Sequence, residues 1–170
     1  GLLVKFEASD LCKQEPIAMQ NGTSLSIKNL FFNLPARRNF LKSNPVEFRH
    51  IHDEFQRISI AHADIKFSLH HNNEEVYNLE PSKLSKRIVQ IFGNNYQQQL
   101  IPCQEETPTV RISGYVGKPT FAKKTRGEQF FFVNRRFIKN HYLNHAVLKA
   151  FEGLLKPEAH PFYILFIEID

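Results

Sequence analysis

The chain has 170 residues, of which 42% are apolar and 16 are phenylalanine, so it can build a packed core and is not a disordered polymer. Lys and Arg outnumber Asp and Glu by 22 to 17, a net charge of +5 that permits an acidic partner without requiring one. No apolar run reaches the 18 or so residues of a membrane span, and two cysteines without CxxC spacing favour a reducing compartment.

In chain order, Leu2 to Ala8 and Ser24 to Phe32 read as two strands of a hairpin with a long polar loop through Pro16 and Asn21-Gly22. In the second, Leu25 and Ile27 share one face, and Ser24, Ser26 and Lys28 the other. Asn33-Leu34-Pro35 then closes the strand and opens a short helix, which gathers Arg37, Arg38 and Lys42 at one corner. Such a corner is either a solvated turn or a binding surface.

From Val46 to Asp64, Phe48, Ile51, Phe55 and Ile58 recur at helical spacing and predict one apolar stripe, with Arg49, Asp53, Gln56 and Arg57 on the wet face. Ile65, Phe67 and Leu69 alternate, and Asn72-Asn73 suits a two-residue turn into Glu74 to Leu79. Pro81-Ser82 marks a composition break, which places a domain boundary between residues 80 and 81. Beyond it come a helix over Ser82 to Phe92 ended by Gly93, a strand over Thr109 to Val116 and a basic loop. A strand over Gln129 to Asn134, a helix over Tyr142 to Leu155 and a strand over Phe162 to Ile169 complete the order. That last strand is apolar on both faces, as in the centre of a sheet. The class is α/β in the broad sense, shading into α+β.

Catalytic motifs are not evident. His50 and His52 sit two positions apart on a helix, and His70 and His71 point to opposite faces of a strand, so neither pair closes on one metal ion. The chain carries no Gly-x-Ser-x-Gly elbow, no GxxxxGK[ST] loop and no GxGxxG fingerprint.

The stretch GTSLSIKNLFFNLPARRNFLK nevertheless resembles the pattern GTxxxVxxLFxNxPARRKFL of MutL-type DNA mismatch repair proteins. The resemblance continues through SKRIVQIFGN, ISGYVGKPTFAK, QFFFVNRRFIKNHYLNHAVLKAF and HPFYILFIEID, essentially the whole chain. It implies the later part of a GHKL ATPase sandwich over residues 1–80. It further implies, over 81–170, most of a left-handed βαβ second domain like that of a ribosomal small-subunit protein. The parent protein would be a bacterial, cytoplasmic ATPase that couples ATP binding and hydrolysis, with Mg2+, to DNA binding and to recruitment of repair factors.

Of the family's nucleotide motifs only Gly22-Thr23 is present, and Thr23 would lie near the adenine; a Gly-Thr that merely starts a strand is the other reading. No bound cofactor and no ATP turnover are expected of these residues alone. The partners implied are duplex DNA, mismatch-recognition and other repair proteins, and a second copy of the parent, with no membrane. By position in the family pattern, Lys42, Arg57 and Arg136 would contact DNA phosphates, with Arg135 standing where the family usually has glycine. Lys123, Lys124 and Arg126 form a further basic patch or a solvated loop. A topoisomerase or chaperone relative of the same ATPase class, or a non-enzymatic DNA-binding module, is the alternative; PARRNFL argues against those relatives.

Overall fold

The structure is a computed structural model and describes residues 1–169. Asp170, the last residue of the expected second domain and of its IEID segment, lies outside the described residues. The chain forms two compact units, Gly1–Phe48 and the residues from Arg49 onward.

In the first unit, β1 (Leu2–Glu7) pairs antiparallel with β2 (Asp10–Pro16). The expected partner, Ser24 to Phe32, is not a strand, and the polar connection expected at residues 10–16 supplies β2 instead. The cause is local: Ala8 and Ser9 both adopt positive φ, 50° and 80°, and close a two-residue turn whose twist suits a tight hairpin. Leu25 and Ile27 are left 82% and 69% exposed, because alternation makes a strand only where another strand pairs with it. The helix α1 (Pro35–Phe40) forms as expected with proline in its first turn, and Leu34 occupies the cap position without a side-chain cap bond.

Helix α2 (Asn44–Ala61) contributes to the second unit from Arg49 on. The hairpin β3 (Phe67–His71) and β4 (Glu74–Leu79) turns at Asn72 and Asn73, with φ of 50° and 68°, and α3 (Leu84–Phe92) ends at Gly93 with φ 104°. A five-stranded sheet follows, built from β5 (Leu100–Glu106), β6 (Val110–Gly117), β7 (Gln129–Val133), β8 (Arg136–Ile138) and β9 (Tyr163–Ile169) in the order β5-β6-β9-β7-β8. Helix α4 (His141–Ala150) lies on the crossover between the parallel strands β7 and β9. The doubly apolar segment is thus the central strand.

The alternation of β7 and β9 gives the sheet two cores. Phe130, Phe132, Phe162 and Ile164 pack with Ile60 of α2 and Ile88 and Ile91 of α3 on one face. Phe131, Tyr163 and Leu165 pack with Leu143 and Val147 of α4 on the other.

The second compact unit runs through the composition break between 80 and 81, and one buried cation ties the segments on its two sides together. Arg87, fully buried on α3, donates from one terminal nitrogen to the carbonyls of Ala63 (2.9 Å), Ile65 (2.7 Å) and Glu80 (3.3 Å). Its guanidinium carbon also sits 5.7 Å from the Phe67 ring. The end of α2 and the β3–β4 hairpin are thereby fastened to α3, and burial, partly offset by Asp64, holds the guanidinium below its ordinary pKa.

Tyr163 provides a test of the α4 face. It is 1% exposed, donates to Asn144 Oδ1 of α4 at 2.8 Å, and burial pushes its phenol up to about 12. Because the folded value lies above the ordinary 10.0, the associated stability is complete below pH 10 and is lost as pH rises toward 12. Urea unfolding at both ends of that window should show the native chain losing about 2–3 kcal/mol more than Tyr163→Phe. Equal losses would mean the phenol is not held neutral by this packing.

Candidate functional site

The second unit carries a groove of about 520 Å³ between α2 and the β7–β8 hairpin. Its apolar side is formed by Ile51 and Ile58 of α2, which are 54% and 52% exposed. The single stripe expected on α2 is therefore divided: Phe55 packs against the core as well as bordering the groove, while Ile51 and Ile58 are exposed on it. Ser59, Ile60 and Ala61 are the buried residues of this helix.

Arg57, Arg135 and Arg136 converge on the same groove. Arg57 was expected on a wet face but is half-buried. Its guanidinium carbon sits 4.4 Å from the centre of the Phe137 ring, and Nη1 donates to Glu54 one turn earlier. The ring contact and the bond to Glu54 together restrict the directions the Arg57 guanidinium can take.

Arg136 opens β8, opposite Val133 of β7, and is exposed. Asn134 and Arg135 are the two turn residues between them, with φ of 46° and 64°. Glycine takes that conformation more readily, so arginine at position 135 adds a charge to the groove and some backbone strain. Asn134 anchors the turn: its side chain donates to the Ile169 carbonyl and accepts from the Ile169 amide, both at 3.0 Å, and its own amide donates to the Ile167 carbonyl at 3.0 Å. The backbone leading into Arg136 is therefore tied to the central strand. Arg135 lies 4.0 Å from Asp64, a surface pair worth about 0–1 kcal/mol.

The other expected residues lie elsewhere. Gly22, Thr23 and Lys42 are exposed in the first unit, and the Lys42 amide donates to Glu47 at 2.7 Å. Gly22 has φ 148°, and a Cβ built on it would meet nothing within 4 Å. Lys124 is exposed on its loop.

Lys123, expected as a free basic residue, is held in a partly buried network. It donates to Glu128 and to the Tyr96 hydroxyl, both at 2.6 Å, and that hydroxyl donates to the other Glu128 oxygen at 2.8 Å. Burial, the largest influence, lowers the Lys123 pKa, but its bonds to Glu128 and Tyr96 outweigh it and the net shift is upward. Glu54 and Phe137, which orient Arg57, were not singled out in the sequence; the three-residue spacing of Glu54 and Arg57 was the available signal for one of them.

The family model described as DNA mismatch repair protein, C-terminal domain, matches residues 88–170. The chain is 54% identical over 170 residues to the DNA mismatch repair protein MutL of Christiangramia forsetii, covering 100% of this chain and 28% of that protein. It is 51% identical over 169 residues to the MutL of Flavobacterium psychrophilum, covering 99% and 28%. The chain therefore spans a little over a quarter of the length of these relatives. Among solved structures, the Aquifex aeolicus MutL ATPase domain complexed with ADP aligns with TM-score 0.76 at 23% identity, over 98% of this chain and 61% of that one. A structure described as the N-terminal domain of a DNA repair protein aligns with TM-score 0.78 at 21% identity, over 98% and 56%. These two likenesses establish the shared mixed α/β fold.

Proposed function

Because the chain belongs to the MutL family of DNA mismatch repair proteins, as a segment of such a protein, we propose that its arginine groove contacts the phosphate backbone of duplex DNA. The observation that carries this reading is the convergence of Arg57, Arg135 and Arg136 on one open groove. Long cations directed at phosphates read no base, which suits a repair protein that acts on any sequence. Lys42 and Lys124 are proposed as outlying contacts. Lys123 is not, since it lies outside the groove and its ammonium is held in a partly buried network with Glu128 and the Tyr96 hydroxyl.

In the whole protein we propose that this activity is coupled to ATP binding and hydrolysis, and to recruitment of mismatch-recognition and other repair factors by a homodimer in the bacterial cytoplasm. No helix among the described residues is long and apolar enough to cross a membrane. Gly22 and Thr23 lie on an exposed segment, and a Cβ added at Gly22 would meet nothing within 4 Å. Their proposed share is one hydrogen bond from the Thr23 hydroxyl at a site that other parts of the protein complete. The assignment of residues 1–80 to the ATPase domain and 81–170 to the following domain is part of the same proposal.

Titration of a duplex at several salt concentrations tests the groove. Arg136→Gln should lower the slope of log K against log salt by about 0.9, one phosphate contact. Arg111→Gln is the control, since that arginine is paired with Glu106 and Glu168. An unchanged slope in Arg136→Gln, or an equal fall in the control, would remove Arg136 from the interface.

A further inference from the structure

A second cavity, of about 240 Å³, shares no residue with the arginine groove. Phe131 and Ile138 contribute an apolar wall, and the polar lining includes Arg126, Lys139, His141 and His160. No carboxylate lines it among the described residues. Four separate stretches of chain bring these groups together: the loop before β7, the end of β8, the first turn of α4 and the segment before β9.

Two of the contributing segments are fixed to each other. His160 and Lys123 exchange backbone hydrogen bonds at 2.7 and 3.0 Å, and Arg126 Nε donates to His160 Nε2 at 3.4 Å. The Arg126 terminal nitrogens, the Lys139 ammonium and the His141 ring have no hydrogen-bond or ion-pair partner among the described residues. The positive end of the ten-residue helix α4 opens beside Lys139 and His141. Cations gathered without a counter-charge repel one another, and an entering anion turns that repulsion into attraction.

We propose that this cavity binds a nucleoside monophosphate unit, its phosphate held by Arg126 and Lys139 and its less polar part against Phe131 and Ile138. The apolar wall is what separates this from a bare anion site, since an inorganic ion gains nothing from it. The unit comes either from a free mononucleotide or from a nucleotide within a single strand. Both present the same chemistry to these residues.

The test uses dAMP and a short single-stranded oligodeoxynucleotide, read by the ring-proton resonances of His141 and His160 and by the dissociation constant. At least one probe should shift both histidines, and Arg126→Gln with Lys139→Gln should weaken it by about tenfold or more. A double variant with the same loss of charge, Arg111→Gln with Lys66→Gln, should bind as the native chain does, and circular dichroism should show both variants folded. Binding of dAMP identifies a free nucleotide as sufficient; binding of the strand alone assigns the source to nucleic acid. If neither probe moves the histidines, or if the control weakens binding as much, the proposal is overturned. Arg136→Gln should leave dAMP binding unchanged, so failure of the groove reading and failure of this one are separate results.

Discussion

Gly114→Ala is expected to cost about 3–5 kcal/mol, enough to unfold much of the population of a domain of ordinary stability. Gly114 lies on β6 opposite Leu165 of β9, with φ 144°, where an L side chain is rarely found. A Cβ placed there would stand 2.0 Å from the Ile164 carbonyl oxygen and 3.1 Å from the Leu165 Cα. Both belong to the backbone of the central strand, which is bonded on each side and cannot withdraw as a flexible side chain would. Gly127→Ala is the comparison, because that glycine also has positive φ, 130°, but has nothing within 4 Å of its added carbon. It should cost about 1 kcal/mol, from backbone strain alone. Denaturant unfolding checks the pair, and equal costs would mean that the close approach of β6 and β9 is not what requires glycine at position 114.

Arg87→Ala should destabilise the second unit by about 3–5 kcal/mol. The substitution empties the space of a fully buried side chain and takes a donor from the carbonyls of Ile65 and Glu80, while the Ala63 carbonyl keeps the Ser82 amide at 2.8 Å. Arg87→Met separates the two contributions. It refills most of the volume and removes the desolvated charge, so its cost should fall to about 1–3 kcal/mol, the carbonyls of Ile65 and Glu80 still lacking the arginine donor. Unfolding curves for both variants should rank alanine below methionine and methionine below the native chain. If methionine matches arginine, the hydrogen bonds do not hold the hairpin to α3.

What could be read from the sequence follows from how local each determinant is. Asn72-Asn73 between two alternating runs gave its hairpin directly, because a two-residue turn with positive φ is written in the turn residues. The central position of β9 was equally legible, since only a strand covered on both faces is apolar on both. Strand β5 was missed because it lies at the sheet edge, bonded on one side, and carries Pro102 and the polar run Gln104, Glu105 and Glu106. The alternation at Leu25 and Ile27 misled for the opposite reason: it reports a face suited to burial and not the presence of a partner. In the groove, the arginines were legible through the family pattern. The Phe137 ring under Arg57 was not, because that contact joins residues 80 positions apart and no spacing rule reaches so far.

The order β5-β6-β9-β7-β8 also constrains the route by which the molecule assembles. The β5–β6 and β7–β8 hairpins can each close between near neighbours in the chain, but the strand that joins them follows both. Pairing Gly114 with Leu165 closes a loop of about fifty residues, and until that happens both hairpins present an open inner edge. Long-range closure of this kind is slow, so entry of β9 between β6 and β7 sets the pace of folding. During synthesis the two half-sheets must wait, with their edges unpaired, for nearly the whole of this segment to leave the ribosome.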